Sequence, residues 1–129
     1  MSHFSTIKTE LRDSQSLFQA LEDLGHGPRE GSLMVRGYRG QTVEAQLAVA
    51  QANGADIGFR LNPETGNYEL VTDLDLWNQP VPVERFLAQL NQRYALRSIL
   101  AATAEEGFQV NEQIQQQDGS IELVVSRWA

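Results

Sequence analysis

The 129-residue chain contains no cysteine, which excludes disulfide bridges and thiolate chemistry and makes a reducing compartment, the cytoplasm, the expected location. Its apolar runs are only a few residues long, so neither a membrane span of about 20 apolar residues nor a secretory leader is expected. Positive charge is scarce too: Lys and Arg number 10 against 17 Asp and Glu, a formal net charge of −7. Nonspecific nucleic-acid binding needs Lys and Arg to neutralise phosphates, so RNA or DNA is an unexpected partner. Lys8 is the only lysine. All other basic residues are arginines, whose planar forks suit bidentate contacts with carboxylates. The two histidines, His3 and His26, stand in no ligand pattern, and the Gly-x-Ser-x-Gly, phosphate-loop and dinucleotide signatures are missing. Hence no catalytic residue, metal or cofactor is expected.

What remains is an ordinary globular composition, with 41% hydrophobic and 21% charged residues, read as one compact domain over residues 1–129 without linker or tail. Phe4, Thr6, Ile7 and Thr9 make a β-compatible run. Asp13 or Ser14 can cap a helix that gathers Leu17, Phe18, Leu21 and Leu24 on one face and ends at Gly25. His26 to Gly31 reads as a loop, and His26 in cationic form would suit the helix dipole. Leu33 and Val35 then mark a strand, Arg39-Gly40 a turn, and Val43, Ala45, Leu47 and Val49 the apolar face of the next strand. Ile57, Phe59 and Leu61 share a face, the Asn62 to Asn67 segment turns, and Tyr68 to Asp73 pairs back. Beyond Pro80 and Pro82, the residues Val83, Phe86, Leu87, Leu90 and Tyr94 fall at helical spacing. Whether that helix runs to Glu106 or breaks near Tyr94-Ala95 stays open, because its apolar stripe drifts. Phe108, Val110 and Ile114, the Asp118-Gly119 turn, and Ile121, Leu123 and Val125 read as a last hairpin. The class is α+β: a mostly antiparallel sheet in the order β-α-β-β-β-β-α-β-β, with the helices packed on one face.

Met1-Ser2-His3-Phe4-Ser5, Asp23-Leu24-Gly25, Arg36-Gly37-Tyr38, Asp56-Ile57-Gly58-Phe59, Tyr68-Glu69-Leu70-Val71 with Trp77, Arg93-Tyr94-Ala95, Gly107-Phe108, Asp118-Gly119-Ser120-Ile121, and Leu123-Val124-Val125 with Arg127-Trp128 recur in the right order along the whole chain. On these pieces the chain resembles the hypothetical chloroplast reading frame thirty-five family, encoded in cyanobacterial and algal plastid genomes. The resemblance implies a photosynthetic cell and a cytoplasmic or stromal location, and carries no activity or active residue with it.

Arg36-Gly37-Tyr38-Arg39-Gly40-Gln41 joins two guanidinium groups and an aromatic face at a turn, a set able to hold an acidic partner. Solvated arginines on a glycine-shaped hairpin are the plainer reading. Arg36, Tyr38, Arg39 and Gln41 are therefore the binding candidates, together with Trp77, whose neighbours are polar. Asp73-Leu74-Asp75 would set two carboxylates on one side of an extended chain, although a loop pair capping the turn near Trp77 accounts for them more simply. The leading expectation is a noncatalytic module for protein binding or assembly. The alternative is a small-molecule enzyme or sensor with a pocket between helix and sheet, drawing on Arg36, Asp73, Asp75 and Tyr94. RNA binding through the sheet face comes third.

Overall fold

The computed structural model describes residues 3–106 and the strand paths at 108–115 and 121–127. In chain order it runs β1 (Phe4–Lys8), α1 (Ser14–Asp23), β2 (Arg29–Arg36), β3 (Thr42–Ala50), β4 (Asp56–Leu61), β5 (Tyr68–Asp73), α2 (Val83–Glu105), β6 (Phe108–Gln115) and β7 (Ile121–Arg127). The order is the expected one, and every ladder is antiparallel. Five strands form one sheet in the order β1-β5-β4-β3-β2, while β6 and β7 pair separately. The expected faces of Phe108, Val110, Ile114, Ile121, Leu123 and Val125, the Asp118-Gly119 turn and Trp128 lie outside the described residues.

Both helices cover one face of the sheet. Asp13 is the N-cap of α1, accepting a hydrogen bond from the Ser16 N–H at 3.0 Å, an interaction of about 1 kcal/mol. Leu17, Ala20 and Leu21 are buried from α1, and Phe86, Leu90 and Leu96 from α2. All of these except Leu96 meet Leu47, Val49, Ile57, Phe59, Tyr68 and Leu70 of the sheet in one core, with Phe18, Leu24 and Tyr94 at its margin. Each large side chain buried there contributes about 1.5–3 kcal/mol. α2 is a single 23-residue helix: no glycine or proline interrupts it before Gly107, and good helix formers carry it past Tyr94-Ala95. Asp23 holds it to α1, accepting from Arg93 at 3.1 Å and from Arg97 at 2.7 and 2.5 Å. Those two arginines lie four apart on one helix face.

The second face is covered by the sheet's own edge. β3 pairs with β4 only from Leu47 to Ala50, but with β2 from Thr42 to Ala48. The β2–β3 register shifts between Glu30 and Leu33, where Gly31 has φ 133; such a bulge bends a strand. Past it, the outer half of the β2–β3 hairpin leaves the sheet plane and lies across the face opposite the helices. Val35, Ala45 and Ala48 form a second core there, with Phe4, Leu33 and Val43 against it. The Gln46 Oε1 takes up the Leu61 N–H at 2.7 Å, a donor that a straight β3 would have paired.

Several expectations are corrected, the first two of them by this bend. The alternating Val43, Ala45, Leu47 and Val49 do not serve one core: Leu47 and Val49 face the helices, and Val43 and Ala45 belong to the folded-over layer. A period of two reports alternation along a strand and is blind to a change of plane. β2 also begins at Arg29, inside the expected loop, because residues ahead of the bulge already pair with Leu47 and Ala48. Leu61 is 38% exposed although Ile57 and Phe59 are buried. His3 precedes the first strand and is exposed. His26 packs edge-on against Phe86 at 5.4 Å, and burial pushes its pKa down, favouring the neutral ring over the cation.

The fold-over leaves no room on β4. A methyl group at Gly58 would collide with Val35 Cγ2, and one at Gly37 would lie 2.6 Å from Phe4 Cζ. Gly58→Ala is therefore expected to destabilise by about 1–3 kcal/mol in urea unfolding. Gly27→Ala, where nothing lies within 4 Å, should instead be neutral or stabilising by up to about 1 kcal/mol. Equal effects at the two sites would contradict the close approach.

Candidate functional site

The candidate site is the folded-over hairpin with its anchor. Asp56 opens β4, between the buried Ala55 and Ile57, and has no exposed surface. A buried carboxylate is tolerated only with charge and hydrogen bonds supplied to it. Arg36, the last residue of β2, supplies both. Its backbone N–H donates to Asp56 Oδ2 at 2.7 Å, Nε donates to the same oxygen at 2.9 Å, and Nη2 donates to Oδ1 at 2.9 Å. Arg29 adds a longer contact at 3.9 Å. Burial pushes the Asp56 carboxyl up, but the hydrogen bonds from Arg36 and the charges of Arg36 and Arg29 outweigh it and hold the group below the usual carboxylate range. The Arg36 guanidinium is raised in return, chiefly by its hydrogen bond to Asp56. The Thr72 hydroxyl donates to the Asp56 carbonyl at 3.2 Å, tying β5 to the same point.

Beyond the anchor, Gly37 N–H donates to the Gln41 carbonyl at 2.8 Å and Gln41 N–H to the Tyr38 carbonyl at 3.1 Å. These bonds close a tight turn of 3-10 type at Tyr38–Gly40. Arg39 sits in it at φ 52 and ψ 41, the one non-glycine residue of positive φ among the described residues. Its guanidinium carbon lies 5.2 Å from the Tyr38 ring centroid, within reach of a cation–π contact. Arg39 and Gln41 are exposed and Tyr38 is half-buried.

The binding candidates thus divide by role. Tyr38, Arg39 and Gln41 stand together at the tip. Arg36 adjoins them, but its fork is taken by Asp56. Trp77 lies apart, against the helical core: Nε1 donates to the Val81 carbonyl at 2.8 Å, and the ring meets Phe86 edge-on at 5.2 Å. Asp73 does not extend alongside Asp75. Its Oδ1 accepts the Asp75 N–H at 3.1 Å and caps a short turn at Leu74–Leu76, and its Oδ2 is buried without a hydrogen-bond partner. Tyr94 is a structural strut whose phenol oxygen accepts from the Arg12 and Asp13 N–H groups at 3.0 and 2.8 Å. A cleft of about 710 Å³ beside it is lined by Lys8, Thr9, Glu10, Leu11, Asn67 and Asn91; Arg36, Asp73 and Asp75 are not among its walls. Among the described residues, no group of three or more His, Asp or Glu side chains could hold a metal ion.

Asp56 and Gln51 escaped the reading of the sequence. Gln51 is buried, and its Oε1 accepts from Asn78 N–H at 2.7 Å and Gln79 Nε2 at 3.1 Å, pinning the loop before α2. An acid at the head of an apolar strand was the one available sign of Asp56, and a lone glutamine carries none.

A family model described as a protein of unknown function (DUF1257) matches residues 20–124. An uncharacterized protein ycf35 of Guillardia theta is 44% identical over 129 residues, covering 99% of this chain and 98% of the relative. Its namesakes in Pyropia yezoensis and Cyanophora paradoxa are 41% and 38% identical over 128 residues, with the same coverage. No solved structure matches the chain.

Because the folded-state pKa of Asp56 is depressed, its contribution to stability is present above the unfolded value of about 3.9 and is lost as pH falls toward the folded one. Carboxyl-carbon NMR should find Asp56 titrating below the ordinary range in the native chain and higher in Arg36→Met, where burial is opposed only by the backbone N–H at position 36 and the more distant charge of Arg29. An unchanged midpoint would show that Arg36 does not hold the carboxylate.

Proposed function

The chain belongs to the family described as a protein of unknown function, DUF1257, and on that premise we propose that it is a noncatalytic module for protein binding or assembly, docking through the β2–β3 hairpin tip at Tyr38, Arg39 and Gln41. The carrying observation is Arg39. An arginine held at φ 52 costs about 1 kcal/mol or more relative to glycine, and strain of this kind collects at binding and switching sites. Arg39 has no acidic partner among the described residues, so its fork is free for a carboxylate on another protein. Tyr38 and Arg39 are of the residue types that dominate interface hot spots. The Asp56 anchor and the Phe4 contact fix the tip in advance, which lowers the ordering cost of binding.

The small-molecule reading has the cleft beside Tyr94 in its favour, but Tyr94 is the one group of its original candidates to line that cleft. RNA binding has the net charge of −7 against it. Among the described residues no helix is long and apolar enough to cross a membrane. The working location of this reading is the plastid stroma or the cytoplasm of a photosynthetic cell, a choice supported by the relatives in Pyropia, Guillardia and Cyanophora.

The test uses tagged wild-type chain and the variants Tyr38→Ala and Arg39→Gly as bait in extracts of a photosynthetic cell, with melting curves in parallel. Arg39→Gly should stabilise the fold by about 0.5–1 kcal/mol while losing the captured partner. A partner held equally by all three baits would overturn the tip as the docking site.

A further inference from the structure

The five-stranded sheet ends on β2 at one side and β1 at the other, and the two edges are built differently. β2 carries the bulge after Glu30 and the charged residues Arg29, Glu30 and Arg36, devices that discourage strand addition. β1 pairs with β5 in unbroken register from Phe4 to Lys8. It holds no proline and no bulge, with one charged side chain at its last position. Among the described residues nothing pairs with its outer side.

The hairpin tip comes to this same edge. Val35 meets β4 at Gly58, and two residues later Gly37 meets the ring of Phe4 from β1, so the turn at Tyr38 to Gly40 lies on the Phe4 side of the sheet. Lys8 stands at the other end, about 13 Å away at strand rise, on the same face as Phe4 and Thr6. Among the described residues neither Lys8 nor Arg39 forms an ion pair within 4 Å: Glu69, opposite Lys8 in the ladder, is held by Arg60 at 3.6 Å. The edge is thus an open backbone ladder bracketed by two cations on one face. Antiparallel pairing with a second copy, centred on Thr6, would bring the copy's lysine beside Arg39, a juxtaposition of like charges that disfavours self-association.

We infer that β1 takes an extended acidic segment of a partner protein as a sixth strand. Main-chain hydrogen bonds run along Phe4–Lys8, and two carboxylates four residues apart on one face of the added strand meet Arg39 and Lys8. This inference rests on the tip being a docking site, and it names what the tip grips. Backbone pairing supplies affinity, and the bracketing charges select the occupant.

Heteronuclear NMR of the full chain tests it with a capped nine-residue threonine-rich peptide carrying glutamates at its third and seventh positions. The controls are the same peptide with lysines at those positions and the glutamate peptide with alternate backbone nitrogens methylated. The glutamate peptide should shift the amides of Phe4 to Lys8 and of Tyr38 to Gln41. The lysine peptide should bind about tenfold or more weakly, methylation should abolish binding, and Lys8→Ala and Arg39→Ala should each weaken it roughly three- to tenfold at low salt. Equal binding of the lysine peptide, indifference to methylation, or absence of shifts on β1 would overturn strand addition. If β1 fails to respond while the captured partner is still lost on Arg39→Gly, strand addition is wrong and tip docking stands. If the partner ignores the tip variants, the tip itself is wrong.

Discussion

A carboxylate with no exposed surface organises the unusual half of this molecule. Asp56 sits at the head of a central strand, where an unpaired charge would be costly, and its two oxygens accept three hydrogen bonds from one residue of the edge strand. That residue, Arg36, reaches Asp56 only because β2 and β3 bend out of the sheet after the Gly31 bulge. The bend in turn is possible because Gly58 and Gly37 present no side chain where Val35 and Phe4 arrive. Charge pairing, backbone irregularity and two close approaches therefore specify one another, and loss of any of them loosens the same layer. The helical face is held differently, by apolar burial and by the Asp23 clamp on Arg93 and Arg97.

Local signals read well in this sequence wherever local physics decides the outcome. The cap at Asp13, the apolar face of α1, the Asn62 to Asn67 turn, the Arg39-Gly40 turn and the β-α-β-β-β-β-α-β-β order follow from side-chain preferences within a few residues of one another. The bend of β3 did not follow, because alternation through Ala45 is the same in a flat strand and a folded one, and the evidence of bending lies in which residues stop pairing with β4. Asp56 stayed hidden for a related reason: Arg36 is 20 positions away, and nothing in the chain marks an arginine as spoken for. The tip was legible as a constellation, yet its division into an Arg36 committed to Asp56 and an exposed Arg39 over Tyr38 depends on the folded chain. Trp77 was ambiguous from its polar neighbours, and its bond to the Val81 carbonyl explains them as a loop folded back on itself.

Membership of a family with no assigned activity shifts the weight of interpretation onto surface physics. The folded-over layer gives this small α+β protein a pre-set, strained, cationic tip on an otherwise acidic molecule, on the side of the five-stranded sheet where β1 is left unpaired among the described residues. A module that recognises an acidic strand needs little more than an open ladder, a rigid clamp and a net charge that repels polyanions at large.

Nuclear Overhauser contacts across the second face test the folding-over of the hairpin most directly. Strong contacts are expected between the Val35 methyls and the Gly58 α-protons, and between the Phe4 ring and the Gly37 α-protons. Their absence, with the Leu47 to Phe59 strand pairing intact, would contradict it.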